Sequence, residues 1–166
     1  MNAISTGLLI ALTGALAFPA AAQQLSPEEV KQYLSGAGMG YAKAAELNHF
    51  PGPMHVLELA DKLQLSAEQR TQTERLMQAH KAEARALGEK VVAAEEALAQ
   101  LFRSGQVRDS ELAQAVNEAA RLQGAYRLAH LETHRRMRAL LSDEQVKRYD
   151  TLRGYSAGTP HQHRKH

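Results

Sequence analysis

Eight histidines and five methionines are the side chains of this 166-residue sequence best suited to chemistry. Cysteine is absent, and with it thiolate nucleophiles, disulfides and Cys-ligated zinc or iron–sulfur sites. His130 and His134 stand four residues apart, one turn of a helix, so a helical segment puts both imidazoles on one face. If the chain folds back near Gly105-Gln106, antiparallel partners have numbers summing to about 211, which sets His80 opposite the segment around Leu131 and Met77 opposite His134, with Met137 at the same level. Imidazole nitrogen suits Zn, Cu, Ni and Co, and thioether sulfur adds softness, so these five side chains could hold a divalent transition ion. A second donor group sits at a bend: His49 and His55 flank Phe50-Pro51-Gly52-Pro53, with Met54 adjacent and Glu58 one turn beyond His55. Plain structure accounts for the same residues. His80, His130, Met77 and Met137 then pack inside a hairpin, His134 lies at its solvent edge, and Pro-Gly-Pro makes a tight turn between two exposed histidines. His161, His163 and His166 would bind ions weakly in any unstructured tail and receive no specific role.

The elements that must position these groups are helical. Ala, Leu, Glu, Gln, Lys and Arg dominate, no alternating strand pattern occurs, and the fold class expected is all-α. Ser26-Pro27-Glu28-Glu29 starts a short N-terminal helix, with Gly36, Gly38 and Gly40 loosening its far end. Two further short segments, 41–48 and 54–63, complete a folded-back arm. A long helix begins at Leu65-Ser66-Ala67-Glu68-Gln69 and carries Thr73, Leu76, His80, Leu87, Val91, Ala94, Leu98 and Leu101 at helical spacing, with Gly88 as its weak point. Arg103-Ser104-Gly105-Gln106 makes a turn. Asp109 is expected to cap a return helix whose stripe is Leu112, Val116, Ala119, Tyr126, Met137 and Leu140. At 1.5 Å per residue each arm spans about 45–55 Å, too thin to bury a globular core alone, so dimerisation is expected. A last helix starts at Leu141-Ser142-Asp143-Glu144-Gln145, where Leu141 can staple onto Val146. The equivalent position in the first box is Arg70, which cannot.

Two Leu-Ser-x-x-Gln boxes, Leu65, Ser66 and Gln69 then Leu141, Ser142 and Gln145, bracket this hairpin behind an apolar leader. The arrangement resembles the twin Leu-Thr-x-x-Gln motifs of the Spy/CpxP family, with serine for threonine in both, over residues 53–153. The resemblance implies a small periplasmic all-helical protein that dimerises through antiparallel hairpins into a curved cradle. It also implies one of several roles: ATP-independent chaperone, envelope-stress regulator, or zinc-binding relative. Related CnrX-type periplasmic sensors bind nickel or cobalt through His, Glu and Met side chains, but the hook of this chain offers no pattern by which those ligands carry over.

The leader itself is residues 1–22: an uncharged apolar run from Gly7 to Ala17, Phe18-Pro19, and Ala20-Ala21-Ala22 as a small-x-small cleavage site. Too short to span a hydrocarbon core of about 30 Å, the run is read as a signal peptide cleaved after Ala22, and export to the periplasm follows. Residues 23–52 form the arm, 53–153 the hairpin domain, and 154–166 a basic His-rich tail expected to be disordered. Twenty Lys+Arg against eighteen Asp+Glu leave a formal +2, too balanced for a nucleic-acid footprint. Without a Gly-rich phosphate loop, a nucleophile elbow or His-Glu-x-x-His, neither nucleotide use nor catalysis is expected, and no cofactor is required beyond an optional Zn, Ni, Co or Cu ion. The function expected is binding: of unfolded clients, or of a membrane stress-sensor protein, by a homodimer. Arg121, Arg127, Arg135, Arg136 and Arg138 near Leu128 and Leu131 supply a mixed cationic and apolar surface, to which Met39 and Met54 could add. A metal sensor or metal-resistance protein is the alternative.

Overall fold

The computed structural model describes residues 24–155, so the expected leader and the histidines of the tail lie outside the described residues. Six helices follow one another: α1 Pro27–Ser35, α2 Lys43–Glu46, α3 Pro53–Glu58, α4 Ala67–Arg103, α5 Asp109–Leu140 and α6 Asp143–Arg153. No strand occurs among the described residues, and the fold is all-α, as the composition implied. The antiparallel pair α4 and α5 is the frame. Helices α1 to α3 form a hook laid along it, and α6 closes the end where the chain enters and leaves the hairpin.

Packing divides into two clusters because the apolar stripe meets two different covers. At the base, Val56, Leu63, Leu76, Met137, Leu141, Val146 and Tyr149 are buried together, and Leu59, Leu65, Leu140 and Tyr155 pack against them. Leu141 and Val146 share this cluster, as the expected staple requires. In the middle, Tyr33 of the hook joins Ala84, Val91, Leu122 and Tyr126. The Tyr33 and Tyr126 rings meet edge to face at 5.0 Å, and the Tyr126 hydroxyl donates to the Ala37 carbonyl at 2.6 Å. Toward the turn the cover ends, and Phe102 is 59% exposed.

Three local expectations are corrected. Gly88 is not a weak point but the place where α1 docks: a Cβ there would stand 2.1 Å from the Tyr33 carbonyl oxygen, so only glycine admits the hook this close. Asp109 does not cap the return helix. Arg108 holds the N-cap position in extended backbone without a side-chain cap, Asp109 is the first helical residue, and Arg108 pairs with Glu111. Val116 leaves the buried stripe and is 46% exposed, because the buried face of α5 runs through Ala119, Leu122, Tyr126, Ala129, Thr133 and Met137 instead.

Candidate functional site

The two Leu-Ser-x-x-Gln boxes act on each other. In each, the serine Oγ accepts from the glutamine backbone N–H, and the glutamine Oε1 accepts from the serine N–H, at 3.0 Å for Gln69 and 2.9 Å for Gln145. That is the capping box, and it consumes only the oxygen of each amide. The nitrogens reach across: Gln69 Nε2 donates to Gln145 Oε1 at 2.8 Å and to the Leu140 carbonyl at 2.9 Å. Gln145 Nε2 donates back to Gln69 Oε1 at 3.0 Å and to the Leu63 carbonyl at 3.3 Å. The reciprocal amide pair clamps the starts of α4 and α6 side by side over the base cluster. Sequence reading found both boxes and missed the clamp. The signal was available in the choice of Gln over Glu at both third positions, since either residue makes a box but only Gln can donate. The N-terminal box, Ser26 with Glu29, stands alone and uses the carboxylate.

The histidines gather less completely than their spacing suggested. The hairpin register holds to about a residue: the His80 and His130 rings meet edge to face with centroids 4.5 Å apart. His130 is 4% exposed and also lies against the Tyr126 ring at 4.8 Å. Burial and the neighbouring His80 and His134 push the His130 pKa down to about 4, and burial lowers that of His80, so both rings are neutral at pH 7. Neither makes a hydrogen bond, and His80 Nδ1 and His130 Nε2 are sealed from solvent without a partner. His134 is not at the solvent edge but buried, its Nδ1–H donating to the Phe50 carbonyl at 2.8 Å. Gly52 seats directly on its ring, where a Cβ would come within 2.8 Å.

A cavity of about 680 Å³ between hook and hairpin collects several of the candidate donors: Met54, His55, Met77, His80, His130 and His134 all line it. Met137 lies apart in the base cluster. His49, with backbone φ +69°, points to Asp150 at 2.7 Å, and His55 pairs with Glu58 at 2.7 Å. Among the described residues no group of three or more His, Asp or Glu side chains is arranged to hold a metal ion.

No described helix is long and apolar enough to cross a membrane. No curated protein and no solved structure matches the chain. The LTXXQ motif family model matches residues 53–153, from the start of α3 to the end of α6, and so covers both boxes and the hairpin between them. With its two boxes clamped together across the base of an all-α hairpin, the chain belongs to the LTXXQ motif family, the Spy/CpxP type of periplasmic protein.

Proposed function

We propose that this protein, released from its leader after Ala22, works in the periplasm as an ATP-independent binding protein for unfolded or partner polypeptides. It acts as a homodimer, without catalysis, nucleotide or nucleic acid, and needs no bound metal. The observation that supports this reading is the face of α5 turned away from the core. At steps of three or four residues it presents Val116, Ala120, Gly124, Leu128 and Leu131, with Val116 46% and Leu128 58% exposed. Arg127 and Arg135 border the same stripe, Arg135 held loosely by Glu132 at 3.7 Å. Exposed apolar side chains interleaved with cations can hold extended, partly apolar segments without a shaped pocket.

The test is light scattering from a chemically unfolded, reduced client, with EDTA present. Suppression of aggregation near equimolar ratio is expected. The Val116→Asp/Leu128→Asp double variant should need about tenfold more protein, since each buried aliphatic side chain is worth about 1.5–3 kcal/mol, while circular dichroism stays unchanged. Undiminished suppression by the double variant would remove α5 from the reading. Suppression lost in EDTA and restored by Zn²⁺ or Ni²⁺ would replace it with a metal-responsive role. Sedimentation equilibrium should return twice the chain mass.

A further inference from the structure

The cavity between hook and hairpin is lined on α5 by His130, Thr133 and His134, none of them in the proposed client stripe, and three of its features point to a small ligand. Its volume, about 680 Å³, falls within the range of about 300–1,000 Å³ that small-molecule sites occupy. Its walls are soft and apolar, with Met39, Met54 and Met77 contributing thioethers that adapt their shape to a guest. Within these walls stand two imidazoles without a hydrogen bond, one of them 4% exposed, and buried polar groups in folded proteins are as a rule satisfied by something.

Charge at the mouth specifies the head group. Lys43 from the hook and Lys81 from α4 both line the cavity, both are exposed, and neither makes an ion pair. The one carboxylate among the lining residues, Glu46, is already engaged by the Tyr149 and Tyr155 hydroxyls and by Arg153. The site therefore presents uncompensated positive charge outside, apolar surface inside, and imidazole donors and acceptors along the wall.

We propose that the cavity binds an amphipathic monocarboxylate of the medium-chain fatty-acid class, with its carboxylate at Lys43 and Lys81 and its chain along Met77. A hydroxyl on that chain meets the imidazole edges that face the cavity, His130 through Nδ1, the ring nitrogen nearest Gly38 of the wall. A neutral imidazole carries one donor and one acceptor, and a hydroxyl matches either. This site is independent of the client-binding reading, and neither stands or falls with the other.

Calorimetric titration of the purified protein with decanoate, 3-hydroxydecanoate, 10-hydroxydecanoate and decylamine tests it. One equivalent of carboxylate is expected, with decylamine at least tenfold weaker and one of the hydroxy acids about fivefold tighter than decanoate, the worth of one added hydrogen bond. Histidine ring resonances of His80 and His130 should shift while that of His49, outside the cavity, stays fixed. Gly38→Leu fills the space above His130, where a Cβ would lie 3.9 Å from Nδ1, and should abolish binding. Lys43→Gln/Lys81→Gln, on exposed side chains that leave the fold intact, should weaken binding at least tenfold. Failure of every probe to bind, equal affinity for decylamine, or unchanged binding by a folded Gly38→Leu protein would overturn the proposal.

Discussion

Replacing Gln69 by Glu separates the two jobs that the motif glutamine performs. A glutamate keeps the shape of the side chain and the oxygen that accepts from the Ser66 N–H, so the capping box survives. A carboxylate in the first turn adds about 0.3–1 kcal/mol through the helix dipole. What it cannot do is donate. The bonds to the Leu140 carbonyl and to Gln145 Oε1, at 2.9 and 2.8 Å, are both lost, and both acceptors then face a negatively charged oxygen. Each net hydrogen bond is worth about 0.5–1.5 kcal/mol, and an acceptor left unsatisfied in a partly buried site costs about 1–3 kcal/mol. After the gain at the helix start, a net destabilisation of about 2–4 kcal/mol is expected. Urea unfolding followed at 222 nm measures it. Gln145→Glu should cost a similar amount, and the two sites should show a coupling energy of about 1–2 kcal/mol in a double-mutant cycle, because they share one bond pair. Glu29→Gln, in the isolated box of α1, should stay within about 0.5 kcal/mol of the parent. If Gln69→Glu does the same, the clamp contributes nothing and the motif is only a cap.

Two further outcomes follow from the packing. Gly88→Ala should free the hook, because a methyl group 2.1 Å from the Tyr33 carbonyl leaves α1 no room, although alanine favours the helix itself by about 1 kcal/mol. Hydrogen exchange should show loss of protection over α1 with α4 and α5 retained, and unchanged exchange in α1 would refute the contact. Stability should also fall as the medium is acidified below pH 6.5. His130, ordinarily near 6.5, is held at about 4 in the folded chain by burial, so between those values the unfolded state binds the proton that the folded state excludes. The loss approaches about 3 kcal/mol by pH 4, with His80 adding in the same direction, and His130→Phe should flatten the profile in urea titrations at pH 7, 5.5 and 4.

The helices and their order were legible in the sequence because their signals are local. A serine hydroxyl and a Gln or Glu three residues later satisfy the first N–H groups of a helix wherever it lies in the fold, and all three boxes at Ser26, Ser66 and Ser142 form as read. The hairpin register followed from the turn at Gly105 and the constant rise of two helices, which is why His80 was found opposite His130. Asp109 and Val116 were misjudged for a different reason: capping and exposure at the turn end depend on where cover stops, and the hook reaches Tyr126 but not Phe102. Only the tertiary structure decided what the residues do to one another across the chain. It turned Gly88 from a flaw into a docking point, made one clamp of two caps 76 residues apart, buried His134 beneath Gly52, and left His80 and His130 neutral, unbonded and facing a cavity. None of these has a periodic or short-range signature. Each arises because a segment distant in sequence removes water from a group whose own neighbours cannot say what will replace it.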